Sequence, residues 1–292
     1  MQFKHLTDAI ALLALPFLSQ AQSPVSSFMS GKGNGAIALS FTAEQYDNVF
    51  LVPTDVEGVP VFNDIDVNSV SLYGSYGISD RLDVVASLPY ISAKGNASQA
   101  VLDELGYENT RDGIQDLSVF LKYNPFNAKI GSSELRFIVA AGLKTPLGNY
   151  RVDEGLQSII AIGNRATSFN GLAIAQFRTQ SGIFLGTQAG YSFRNGEVPN
   201  ALLGEIKAGY SNSHIYVDAW YAGQVSDGGV NILGEGFVGF FPATDVSYTR
   251  AGITVYVPIA GGFGISAGAS KFLTGRNVGE STGFSGSVVY SF

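Results

Sequence analysis

The chain has 292 residues, of which only 14% are charged, a formal net charge of -7 and no cysteine. The acid excess argues against a nucleic-acid partner, and the missing thiols exclude a disulfide framework, a thiol nucleophile and a thiolate metal site. Beyond Ala21 no window of about 18 residues is uniformly apolar, which excludes membrane-spanning helices. Low charge without long apolar runs fits strands that alternate between lipid and water, although a secreted β-sandwich shares much of that profile.

The start of the chain reads as a secretory leader. Lys4 and His5 make a short basic start, the run from Ala9 to Leu18 is apolar, and Ser19-Gln20-Ala21 places small residues at both positions that specify cleavage. Cleavage is expected after Ala21. An apolar run of about ten residues is too short to cross roughly 30 Å of hydrocarbon as a helix. Residues 22 to 33 are then expected to form a short periplasmic segment, too few to fold into a plug.

From residue 34 onward, twelve segments alternate with period two and are separated by stretches rich in Gly, Asn, Asp, Ser and Pro. Their cores are 34 to 46, 66 to 78, 82 to 92, 114 to 124, 134 to 144, 166 to 178, 182 to 193, 200 to 211, 214 to 225, 246 to 257, 262 to 272 and 281 to 292. The connections alternate in length. Residues 47 to 65, 93 to 113, 145 to 165 and 226 to 245 are long, whereas Ser79-Asp80-Arg81 and Asn212-Ser213 are tight. An even strand count with loops sorted by parity predicts an all-β, antiparallel, up-and-down transmembrane barrel over residues 34 to 292, with both termini periplasmic and located in the outer membrane.

Two hairpins supply an internal check, because a one-residue slip exchanges the faces of a strand. A two-residue loop at Asn212-Ser213 sets Ala208 opposite Val217 and Lys207 opposite Asp218. A three-residue loop at Ser79-Asp80-Arg81 sets Tyr76 opposite Val84 and Leu72 opposite Leu88. Each leaves one continuous apolar face. The last segment carries apolar or small residues at every second position up to Val288, Tyr290 and Phe292. That pattern resembles the C-terminal signal by which barrel-assembly machinery recognises its clients.

The stretches YGISDRLDVVASLPY (residues 76 to 90), GIQDLSVFLKYNPF (113 to 126) and RFIVAAGLKTPLGNY (136 to 150) resemble an outer-membrane barrel family named for transport in a phenol-degradation pathway and grouped with hydrophobic-compound channels. The resemblance covers mainly residues 66 to 150. It implies a channel for small organic, aromatic or hydrophobic solutes.

Alternation turns Asp83, Asp116, Lys122, Arg136, Lys144, Glu205, Lys207, Asp218 and Arg250 toward the lumen, with Ser69, Ser71, Ser75 and Gln188. Tyr73, Phe120, Tyr216, Trp220, Tyr248 and Tyr256 share that face. Such a set either lines a water-filled solute path or pairs across strands and fills a closed structural barrel, since an unpaired dry charge is costly. Enzymatic chemistry is not expected. His214 is the only histidine after the leader, and Asp218 lies roughly 13 Å along the same strand at about 3.3 Å per residue, too far for a triad. GEGFVG at 234 to 239 matches a dinucleotide-binding pattern, but Pro242 follows where a helix would have to begin. No cofactor and no metal site is expected. Asp47, Asp55, Glu57 and Asp64 in the first long connection, and Asp103, Glu104, Glu108 and Asp112 in the second, read as a solvated, disorder-prone surface, as a place for divalent ions bridging to lipopolysaccharide, or as a mouth that repels anionic solutes. Partners expected are lipid, lipopolysaccharide, assembly machinery and a small-molecule solute.

Overall fold

The computed structural model describes residues 24–292; the leader and its expected cleavage point at Ala21 lie outside the described residues. Period-two patterning becomes a closed antiparallel barrel of twelve strands. They are β1 (Gly35–Tyr46), β2 (Ile65–Ser79), β3 (Leu82–Gly95), β4 (Asp116–Ile130), β5 (Ser133–Pro146), β6 (Ser168–Arg178), β7 (Ile183–Arg194), β8 (Asn200–Ser211), β9 (Tyr216–Asp227), β10 (Ser247–Ala260), β11 (Phe263–Arg276) and β12 (Thr282–Ser291). Each pairs with the next, and β12 closes on β1 from Ala36 opposite Ser291 to Gln45 opposite Thr282. Closure removes the sheet edges that would otherwise carry unpaired backbone groups into a lipid phase.

Apolar side chains point outward on every strand. Leu39, Phe41, Leu72, Leu121, Ile206, Ile253 and Phe284 are all exposed on the outer wall. In water such a surface would be untenable. Aromatic pairs ring the short-turn end, where Phe263 meets Tyr290 at 4.9 Å, Tyr76 meets Phe292 at 6.5 Å and Phe126 meets Phe137 at 6.0 Å. Tyr191 and Phe193 do the same toward the long-loop end, at 4.7 Å. An apolar band between aromatic girdles is the dress of a membrane barrel.

Both hairpin registers need adjustment, for local reasons. At the first, Tyr76 faces Val84 and Leu72 faces Leu88 as expected, but Ser79 pairs with Leu82 and a bulge absorbs Ile78, so the tip is tighter. At the second, Asn212 Oδ1 accepts the backbone N–H of His214 and of Ile215, which holds a four-residue turn, and Ser211 pairs with Tyr216. Every partner then moves by two residues. Ala208 faces Ala219 and Lys207 faces Trp220, while Gly209 faces Asp218. An even shift leaves the faces unchanged, which is why the apolar surface was legible although the partners were not.

The largest departure concerns residues 24 to 33. They do not hang free beyond the barrel but enter its lumen from the short-turn end. Gly33 N donates to Gly77 O at 2.8 Å and Lys32 N to Asp80 Oδ1 at 3.1 Å, at the rim. Higher up, Ser30 N donates to Asp83 Oδ2 at 2.8 Å and Gln176 Nε2 to Ser27 Oγ at 3.2 Å. Phe28 is buried among Ala36, Ala38, Phe184, Tyr216, Tyr256 and Val289. Val25 and Met29 pack on Val85, Phe120, Ile138, Ala140, Leu172 and Ile174. The barrel's inner wall supplies the apolar surface and hydrogen-bond partners of the segment. Gly77 permits the entry, since a Cβ there would stand 1.9 Å from Gly31 O.

Candidate functional site: the lumen

The inward positions form a polar column whose charges meet in pairs. At the level of the inserted segment, Lys122 and Asp83 are fully buried with Nζ 3.6 Å from Oδ2. The segment completes their hydrogen bonding, because Phe28 O accepts from Lys122 Nζ and Ser30 N donates to Asp83. Alongside, Lys207 stands between Glu205 at 3.6 Å and Asp218 at 3.5 Å, and Tyr216 O–H donates to Asp218. The expected Lys207–Asp218 pair thus exists as a diagonal contact rather than a direct cross-strand one. Arg136 bonds Glu134 at 2.8 Å, and Lys144 lies 3.2 Å from Asp116 near the loops. Arg250 reaches Glu44 at 3.4 Å and lies over the rings of Trp220, at 5.5 Å, and Phe272, at 4.7 Å. Tyr248 contacts Phe272 at 5.0 Å.

Further inward charges escaped the sequence reading. Glu44, Glu134, Arg178 and Arg194 obey the same alternation as their neighbours but sit at strand ends, where a charge passes for a loop residue. Arg178 lies over the Phe28 ring at 5.9 Å and donates to Ser211 O. Arg194 donates to Gln224 Oε1 at 2.7 Å, to Pro199 O and to Ser192 Oγ. Of the inward aromatics, Phe120, Tyr216 and Tyr256 are spent on packing the inserted segment, and Tyr73 packs against the same clusters. Trp220 and Tyr248 stand above it.

The other candidates resolve simply. His214 occupies the exposed turn between β8 and β9, its Nδ1 3.0 Å from Ser213 Oγ, while Asp218 is engaged with Tyr216 and Lys207. No triad forms. GEGFVG is followed by a single 3-10 turn, Phe241–Ala243, in place of the helix a dinucleotide site requires. Val288 and Tyr290 on β12, and Phe292 just beyond it, are exposed on the outer wall. Among the described residues no group of three or more acidic or histidine side chains is gathered to hold a metal ion.

The long connections are built, not loose. Asn48–Phe50 pairs with Val56–Glu57 and with Val278–Gly279 as a small sheet, and the second connection carries the helix α1 (Gln99–Leu105). Phe62, Ile65, Leu102, Tyr150 and Ile160 share one buried cluster. This order offsets the acid: Asp64 accepts from Asn96, Asp112 from Tyr90, and Glu108 N and O exchange bonds with Gln157. Glu154 collects Arg111 at 3.2 Å and Arg151 at 3.0 Å. Burial opposes ionisation of Glu154, but the two arginines outweigh it and hold its carboxyl below the usual range. Tyr150 O–H donates to Asp116, and burial together with that carboxylate pushes the phenol well up.

No family profile and no curated protein matches the chain, so the family suggested by the residue resemblance is not assigned. Solved structures do match. An outer membrane channel from Pseudomonas putida F1 superposes with a TM-score of 0.70 at 11% identity, over 92% of this chain and 99% of that one. This is an outer-membrane-type barrel. A mutant of the TodX monoaromatic hydrocarbon channel (TM-score 0.43, 9% identity, 91% of each chain) and the KdgM porin (0.42, 8%, 87% of this chain and 99% of that one) superpose far less closely. Identities this low speak to fold alone.

Proposed function

We propose that this chain is a channel of the cell outer membrane through which small organic solutes pass without energy coupling, the short-turn end facing the periplasm. The observation that carries this reading is how the lumen is closed. A column of paired charges and hydroxyls runs inside the barrel, and at its turn end residues 24 to 33 pack across the lumen against inward wall side chains while continuous with the wall at one point. A seal of a few hydrogen bonds and three apolar side chains can leave and return. Because most inward aromatics serve that seal, small polar organic solutes fit the remaining path better than the aromatic ones implied by the sequence resemblance.

The second reading is a closed structural barrel, and the buried Asp83–Lys122 pair and its backbone partners favour it. Planar-bilayer recordings separate the two. The channel reading expects intermittent conductance from the intact protein and persistent conductance after deletion of residues 24 to 30, with matching solute uptake by liposomes. Silence from both proteins sinks it.

A further inference from the structure

The barrel wall is not level at its short-turn end. β4 pairs with β3 only as far as Tyr123 opposite Leu82, after which Asn124 N donates to Arg81 O at 2.9 Å. A bulge between Tyr123 and Phe126 then ends that ladder, and the hairpin of β4 and β5 runs on to Ile130 opposite Ser133. Residues Pro125 to Ile130 have no backbone partner on their β3 side among the described residues. They project past the β2–β3 turn over roughly 20 Å of strand, at about 3.3 Å per residue, and form one side of a notch in the rim.

The two-residue turn Gly131-Ser132 makes Ile130 and Ser133 a mutually bonded pair, and alternation along the ladder gives Ala128 with Leu135 and Phe126 with Phe137 the same character. The N–H and C=O groups of Asn127 and Lys129 therefore point into the notch, and both residues are exposed. A bare edge of this kind is a template for a further strand. Charge decides which strand fits. The whole chain carries 17 basic and 24 acidic residues. At this end, besides the buried Asp83–Lys122 pair, Lys32, Arg81, Lys129, Arg136 and Arg178 face only the side chains of Asp80 and Glu134. Asp80 already accepts from Lys32 N, and Glu134 is engaged with Arg136 at 2.8 Å. The exposed side chains of Lys32, Arg81 and Lys129 form no ion pair among the described residues.

We propose that this notch docks an extended acidic segment of another polypeptide. The segment adds to β4 as a strand, its backbone bonded to Asn127 and Lys129 and its carboxylates beside Lys129 and Arg81. A second copy of this chain does not fit, because edge-to-edge pairing would set two lysine-bearing edges against each other. An anionic lipid headgroup would meet the cations and leave the backbone edge bare.

The test titrates the full chain in detergent into a fluorescently labelled, end-capped peptide of alternating Glu and Val, at constant ionic strength, and follows anisotropy. Binding is expected to saturate. The Lys-Val counterpart and the fully N-methylated Glu-Val peptide should each bind at least about tenfold more weakly, the first for charge and the second for lost backbone donors. Lys129→Glu should weaken the acidic peptide by a similar factor, whereas Lys271→Glu at the opposite end should leave it unchanged. Asn127→Pro should abolish binding with unchanged circular dichroism, because it removes a donor the hairpin does not use and obstructs the edge. Absence of saturable binding, equal binding of the Lys-Val peptide, or full binding by Asn127→Pro would each overturn the proposal. Binding that ignores N-methylation and Asn127→Pro, falls with Lys129→Glu and is displaced by phosphatidylglycerol in mixed micelles would also overturn it, and would assign the cations to lipid.

Discussion

Phe28→Ala tests the seal at its most buried point. The ring is 2% exposed, edge-on to Phe184 at 5.1 Å and to Tyr216 at 6.3 Å, with Arg178 over its face. Truncating a buried phenylalanine costs about 3 to 5 kcal/mol. The displaced segment recovers part of this by covering its ring elsewhere, so the bias between seated and displaced states should fall by roughly 3 kcal/mol, about two powers of ten in the equilibrium. Single-channel recording reads that bias as the fraction of time in the high-conductance state. The variant should lie between the intact protein and the deletion of residues 24 to 30, with its open fraction raised by on the order of a hundredfold unless it saturates. If Phe28→Ala keeps the open fraction of the intact protein while the deletion is fully open, burial of Phe28 is not what holds the segment in place.

Gly77→Ala attacks the same seal from the wall, since the added methyl would stand 1.9 Å from Gly31 O; limited proteolysis should cut within residues 24 to 33 faster than in the unmodified protein. Lys122→Met leaves Asp83 buried without its cation and should cost about 3 to 5 kcal/mol, seen as a lower urea midpoint, with Asp83→Asn restoring much of the loss. The loop node responds to acid. The lowered Glu154 carboxyl contributes order above its unfolded range and loses it as pH falls through its native value, so amide exchange over residues 147 to 165 should quicken only below the usual glutamate range. The raised Tyr150 phenol has the opposite sign: its contribution is complete below the ordinary tyrosine range and is lost as pH rises through its native value, so Tyr150→Phe should remove any alkaline loosening of the same loops.

How much of this was readable follows from where each signal resides. Strand number, strand faces and lumenal identity are written in period two, a local property, and each lumenal residue from Asp83 to Arg250 therefore faces where alternation puts it. Cross-strand partners depended on turn geometry: the Asn212 side chain set a longer turn than the dipeptide suggested and moved Lys207 from Asp218 to Trp220 without changing a face. The acid of the long connections gave no hint of their order, because Phe62, Leu102, Tyr150 and Ile160 come from three separate connections and meet only when the barrel brings those loops together.

The chain's own pattern thus determined a twelve-stranded barrel with an apolar exterior and a mixed-charge interior. Only the tertiary structure decided that the lumen is occupied. Residues 24 to 33 have no periodicity of their own, and their partners lie far along the chain: Ser30 bonds Asp83, Phe28 bonds Lys122 and Ser27 bonds Gln176, at separations of 53, 94 and 149 residues. A segment held mainly by such distant contacts leaves little local trace in its sequence.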